Sequence, residues 1–304
     1  MIVNSSKKQN LYLGVDIGGS STKFVVVSLP RMRVNNLCKH KTPKTRKELL
    51  RLISGHVKEF EQELGRKLTG VGVALAGVFD ASGKKILHSP NIPAFSSWNI
   101  YQAVKAAVKR PVSAGNDANA FTLGESVLGA ARGFKRVFGM TIGTGVGGGL
   151  FSNGQLEIGA NGGAGEIGHS VIVAGGKGCT CGGRGHLEEY ITTRAFLRFG
   201  GDSPNVLAIK ARKGDKRAQK AFDIMAGYLA VALANIVNIW DPEVIVIGGG
   251  IAQDSDLFLK RAMRLARKEI LSPKAATNLV VKVAKLGEYS GAIGAILFNN
   301  KNKL

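Results

Sequence analysis

Apolar positions in this chain keep two rhythms. Over 45–64, Leu49, Leu50, Ile53, Val57, Phe60 and Leu64 recur at three- and four-residue spacings and give way at Gly65, which predicts an amphipathic helix. Helices are also predicted over 100–109, 118–128, 187–198, 204–212, 215–239, 255–271 and 289–299. Short apolar and β-branched runs at 11–16, 23–29, 71–75, 111–114, 137–142, 149–152, 244–247 and 280–283 predict strands. The first two runs read as a hairpin with its tip at 18–22, the section 80–98 as turns, and 159–185 as a long glycine-rich connection.

Strands alternating with helices predict α/β layers. A strand followed by a glycine loop occurs in both halves, which predicts two similar lobes facing a cleft, with a hinge near 115–120. The expected first lobe is 1–117, completed by a C-terminal helix over 289–304, and the expected second lobe is 118–288. The longest apolar run, 226–240, is broken by Asn235 and Asn238 and is too short to span a bilayer comfortably. The polar stretch 1–10 has no hydrophobic signal region, so the reading is a cytoplasmic protein with no membrane partner.

Composition adds to this picture in three places. A chain of 304 residues with 44% hydrophobic residues can bury two separate cores. The net charge of +21 raises nucleic acid as a partner. Against that, residues 31–67 carry eleven Lys or Arg and four Glu with Phe60 as their one aromatic, and base stacking needs aromatics among the cations. Solvated basic faces, or attraction of anionic substrates, account for the charge more simply. Three cysteines, Cys38, Cys179 and Cys181, cannot build a disulfide framework and suit a reducing compartment.

The candidate chemistry centres on Asp117. It follows a strand and precedes a helix, between two glycine-rich segments at 16–23 and 143–149. Glycine runs at strand ends let backbone N–H groups converge on phosphate. A carboxylate between two such loops suits phosphoryl transfer, which needs one group to take the hydroxyl proton. Asn116 beside it can hydrogen-bond a polyol. On the residues alone a second reading stays open, in which Asn116 or Asp117 caps the following helix. The P-loop pattern G-x-x-x-x-G-K-[ST] is absent. The segment 143–148 does satisfy G-x-G-x-x-G, with Glu166 near the spacing of a ribose-binding acid, so a nicotinamide oxidoreductase is a further class. His169, Cys179, Cys181 and His186 offer four N and S ligands in a segment without a core of its own, the donor set of a closed zinc site. Such a zinc would order the segment 166–188, which carries Glu166 and Glu188. His169 could meet the metal through one ring nitrogen and a substrate hydroxyl through the other.

The stretches at 16–23, 116–119, 143–149, 166–169 and 179–188 resemble, in order, the motifs of the ROK family of repressors, open reading frames and sugar kinases, over about 11–295. The resemblance implies a two-lobed actin-like ATPase (ribonuclease H-like) fold and an ATP-dependent hexose kinase. It implies Asp117 as the base for a sugar hydroxyl, most often that on carbon 6, with Asn116, Glu166, His169, Glu188 and Asn91 around the sugar. Asp16 would orient Mg2+ or its water shell. Gly18, Gly19, Thr22, Lys23, Thr144 and Gly145 would approach the phosphates, and Gly248, Gly249 and Gly250 the adenosine. It further implies a structural Zn2+ and a homodimer or homotetramer. The chain departs from the family at His186, where a third cysteine is usual, and at Ala76, where proline often precedes the glycine. The implied acceptor is glucose, with an N-acetylhexosamine (N-acetylglucosamine or N-acetylmannosamine) or fructose as alternatives. A sugar-sensing repressor is a further class, and the fifteen residues before Asp16 leave no room for a DNA-binding domain.

Overall fold

A computed structural model of the chain describes residues 10–29, 31–89 and 92–299. It divides into two compact units, one of residues up to Ala120 together with the segment from Gly291, the other Phe121–Ser290.

The first unit begins with β1 (Asn10–Ile17), β2 (Ser21–Leu29), β3 (Arg33–Lys41) and α1 (Arg46–Glu63). There follow β4 (Gly70–Leu75), the short β5 (Val78–Phe79) and β6 (Ile86–His88), α2 (Ile100–Val108), β7 (Val112–Asn116) and the start of α3 (Asp117–Val127). The sheet order is β3-β2-β1-β4-β7. β1 to β3 form an antiparallel meander, and β4 and then β7 add in parallel beside β1. β1 lies in the middle with both faces covered, which is why 11–16 reads as an unbroken apolar run.

The second unit holds β8 (Arg136–Ile142), β9 (Val146–Ser152), β10 (Gln155–Glu157), α4 (Glu188–Ile191), α5 (Thr193–Gly200), α6 (Pro204–Arg212) and α7 (Lys216–Trp240). It continues with β11 (Val244–Gly248), α8 (Leu259–Glu269), α9 (Pro273–Thr277) and β12 (Val281–Val283), and α10 (Ser290–Leu297) follows. Its sheet order is β10-β9-β8-β11-β12. The pairing repeats that of the first unit: an antiparallel meander, then two strands added in parallel beside its first. This is the duplicated α/β architecture of the actin-like ATPase fold. By length and composition α7 could cross a membrane, but Phe222, Met225, Leu229, Leu233 and Ile236 bury it in the second unit's core.

Several elements differ from the sequence expectation. β3 and β10 were not foreseen, and β5 and β6 lie in the section read as turns. The helix expected over 187–198 breaks at Thr192, which is extended (φ −95°, ψ 176°) and whose hydroxyl donates to the Glu188 carbonyl at 2.7 Å. The helix expected over 255–271 starts at Leu259, because Ile251–Leu257 forms tighter 3-10 turns with a kink at Asp254.

Helix α10 lies flush on the first sheet. Gly14 and Gly72 are register partners on β1 and β4, and a Cβ on either would collide with backbone of α10, at Ala292 and Ala295 respectively. Ser113 on β7 donates its hydroxyl to the Ala295 carbonyl at 2.9 Å.

Candidate active site

In the first unit, Asp16 near the end of β1 pairs in register with Lys23 on β2, and their charged groups are 3.8 Å apart. Burial pushes the Asp16 carboxyl up to about 7; Lys23 pulls it back and Asp117 pushes it further up. Between them the hairpin turn at 18–20 exposes Gly19 and Ser20. The turn is fixed from three sides. Gly18 N–H donates to the Ser21 carbonyl at 3.0 Å, and Thr42 N–H to the Ser20 carbonyl at 3.2 Å. The Thr42 hydroxyl donates to the Gly18 carbonyl at 2.6 Å and lies 3.1 Å from the hydroxyl of buried Thr22. Thr42 was not singled out from the sequence; its brace is visible once β3 exists.

β7 hands the chain directly to α3 at Asn116-Asp117. Asn116 is the cap: its Oδ1 accepts from Asn119 N–H at 2.9 Å, while its Nδ2 donates to the Gly77 carbonyl at 3.0 Å. That assigns the capping role to Asn116 and leaves Asp117 as the first residue of the helix. Burial raises the Asp117 carboxyl above the ordinary carboxylate range, against the opposing pull of the Ala118 and Asp117 N–H groups and Lys23. A carboxylate in that state is a stronger base than an exposed one. In the neighbouring turn Ala76 N–H donates to the Ile17 carbonyl at 3.3 Å, a bond proline could not make. Asn91 lies outside the described residues.

In the second unit the turn at 143–145 joins antiparallel β8 and β9 rather than a strand and a helix, so it is not the dinucleotide loop its G-x-G-x-x-G spacing allows. Thr144 is exposed at its tip. The Gly143 carbonyl accepts from Thr193 N–H at 3.0 Å, and a Cβ on Gly145 would stand 3.2 Å from Glu188 Oε2. Glu166 opens a short 3-10 turn, Ile167–His169, that sits directly on β9. Glu188 is buried at the start of α4, with Arg194 Nη2 3.4 Å away. Arg194 and Arg198 also pair with buried Glu189, and none of these three was singled out from the sequence. At the end of β11, Gly249 and Gly250 are exposed, and Gly249 holds φ +89° against the backbone of Ile142.

The four donors of the 166–188 segment converge. His169 Nδ1 is 3.5 Å from His186 Nδ1, and Cys181 Sγ is 3.3 Å from that same nitrogen. With Cys179 Sγ, all four atoms lie within 4.8 Å of one another. Tetrahedral zinc holds such ligands about 3.3–3.8 Å apart, so the residues present fit the ion. Cys179 Sγ donates to Glu188 Oε1 at 3.2 Å, which ties the cluster to that carboxylate.

A further carboxylate escaped the sequence reading. Glu125 on α3 is fully buried and accepts from Ala130, Lys285 and Leu286 N–H groups and the Ser290 hydroxyl at 2.8–3.0 Å. Four donors satisfy its charge, so its part is to hold two loops rather than to react.

Comparison with known proteins adds four findings. The chain matches the model of the ROK family over residues 12–302. It is 32% identical over 305 residues to the N-acetylgalactosamine kinase AgaK of Shewanella sp. (strain ANA-3), across 95% of this chain and 97% of that protein. It is also 32% identical over 316 residues to the glucokinase of Halalkalibacterium halodurans, across 93% of each. Among solved structures it is similar to a ROK family glucokinase from Streptomyces griseus in complex with glucose and AMPPNP, at a TM-score of 0.85 and 29% identity over 94% of this chain and 98% of that one.

Proposed function

The chain belongs to the ROK family and is an ATP-dependent sugar kinase, and on that premise we propose that its acceptor is glucose, phosphorylated on the carbon 6 hydroxyl with Asp117 as the base. The observation that carries the reading is the raised carboxyl of Asp117 beside Asn116, with Asp16 and Lys23 on the adjoining hairpin. Asp117 takes the hydroxyl proton as the sugar oxygen bonds to the γ-phosphorus and the bond to the ADP oxygen breaks. Asn116, Glu166, His169 and Glu188 hold the ring hydroxyls. Asn116 has one amide hydrogen and one lone pair left for this after capping α3. The N–H groups of Gly18, Gly19, Thr144 and Gly145 cradle phosphate oxygens, with Thr22 and Lys23 beside them, and Gly248 to Gly250 lie along the adenosine. Mg2+, held through Asp16, supplies charge neutralisation on the phosphates.

His169, Cys179, Cys181 and His186 hold a structural zinc that fixes the segment carrying the sugar-binding carboxylates. His169 turns Nδ1 to the cluster and keeps Nε2 for a sugar hydroxyl. We further propose a cytoplasmic homodimer or homotetramer without specific nucleic-acid binding.

An N-acetylhexosamine is the second reading, since a relative named N-acetylgalactosamine kinase is as similar as one named glucokinase. A coupled ADP-release assay across glucose, fructose, mannose and the N-acetylhexosamines decides between them. Glucose should give a kcat/KM at least about tenfold above any other sugar. A preference for an N-acetylated sugar would replace glucose with the second reading.

A further inference from the structure

A second set of nitrogen and sulfur donors stands on the edge strand of the first unit, where Cys38 and His40 pair in register with Phe24 and Thr22 of β2. Cys38 and His40 are two residues apart on β3, so they share one face of the sheet. Helix α1 covers that face with His56 and, one turn on, Glu59. His56 Nε2 lies 2.8 Å from His40 Nε2 and 4.0 Å from Cys38 Sγ, and the three donor atoms are all within 4.8 Å of one another. Glu59 Oε2 stands 2.7 Å from His56 Nδ1, near enough to pair with it but out of line for a hydrogen bond until the ring turns. The rings of Phe24 and Phe60 flank His56 at 4.5 and 5.4 Å and wall the cluster on its apolar side.

We propose that Cys38, His40 and His56 form a binding site for a borderline divalent transition metal, zinc in the first instance, with Glu59 orienting His56 and a fourth position open to water. With bond lengths of about 2.0 Å to nitrogen and about 2.3 Å to sulfur, tetrahedral zinc sets two nitrogens about 3.3 Å apart and nitrogen about 3.6 Å from sulfur. The side chains reach that geometry by shifts of about half an ångström. A carboxylate on the far ring nitrogen is the partner that a metal-bound imidazole ordinarily has: it fixes the proton on Nδ1 and leaves the Nε2 lone pair for the ion. Two neutral imidazoles facing through Nε2 otherwise need a proton between them, whereas a cation satisfies both lone pairs. One thiolate, one carboxylate and a divalent cation sum to zero, and the thiol proton leaves to solvent on binding. A strand-borne C-x-H and a helical H-x-x-E thereby pin the edge strand to α1. The pin lies two residues before Thr42, whose hydroxyl holds the Gly18 turn.

The test uses the full chain, stripped by dialysis against a chelator and titrated with Zn2+, with iodoacetamide alkylation of each cysteine followed by peptide mass. Saturating Zn2+ should slow alkylation of Cys38 by about tenfold or more. His40→Gln, on the edge strand, should abolish that protection while leaving protection of Cys179 and Cys181 unchanged. Cys38→Ser should lower bound zinc by about one ion per chain relative to the wild type. Cys181→Ser should leave protection of Cys38 intact, which separates this site from the one at His169. Cys38 alkylating equally fast with and without zinc, or full protection surviving in His40→Gln, would overturn the assignment.

Discussion

At the scale of single residues, the arrangement turns on where each polar group spends its hydrogen bonds. The sequence favoured Asp117 as the base but left open that Asn116 or Asp117 merely caps the helix, because a cap and a catalytic carboxylate occupy the same strand-to-helix junction. Side-chain geometry separates them, since Asn116 Oδ1 meets Asn119 N–H. Asp16 and Asp117 both hold raised carboxyls for the same first cause, burial. An essential base must be ionised, so kcat/KM should fall with acidity through a pKa above the ordinary carboxylate range, read from a pH–rate profile with the sugar subsaturating. Asp16 also links folding to pH. Its carboxyl ionises near 3.8 when unfolded and near 7 when folded, so the folded state binds the extra proton between those values. Its contribution to stability is therefore lost as pH rises through that window. Asp16→Asn should gain stability on the wild type between pH 5 and pH 8, by on the order of 2 kcal/mol in urea unfolding without Mg2+. A pH-independent difference would show that Asp16 is not held protonated.

At the scale of elements, legibility followed apolar content. β1, β4 and β11 are covered on both faces and read as continuous apolar runs. β3 did not: its half-buried positions are Asn36, Cys38 and His40, so its period of two is written in polar residues. The same blind spot hid the Cys38 cluster, whose partner His56 comes from a helix sixteen residues beyond His40. β10 is three residues long, too short for any periodicity to register. The break at Thr192 is set by a hydroxyl-to-carbonyl bond rather than by glycine or proline, the signals that sequence reading uses. Glycine in strands carried a meaning that periodicity could not supply. Gly72→Ala would drive a Cβ into the α10 backbone, so the variant should lose about 1–3 kcal/mol of stability by thermal melting. Gly163→Ala, where an added Cβ meets no neighbour, is the control and should melt close to the wild type.

At the scale of the whole molecule, the two sheets repeat one pairing order, β3-β2-β1-β4-β7 and β10-β9-β8-β11-β12. The strand-then-glycine-loop pattern announced that repetition, but the register of each pair needed the structure. The candidate groups lie in both units: Asp16, Lys23 and Asp117 in the first, and Glu166, His169, Cys179, Cys181, His186 and Glu188 in the second. The net charge of +21 suits anionic nucleotide and sugar phosphate as well as it suits nucleic acid, so charge alone assigns no partner. The central claim is that this chain moves the γ-phosphoryl of ATP to a sugar with Asp117 as the proton acceptor. The most direct test is steady-state ADP release with ATP, Mg2+ and the preferred sugar for the wild type and Asp117→Asn, after nucleotide and sugar binding are verified in both by thermal shift. The account predicts that the variant still binds both ligands and loses kcat by about 100-fold or more. A variant that turns over within about threefold of the wild type would contradict it, because loss of an essential general base costs about 100-fold or more.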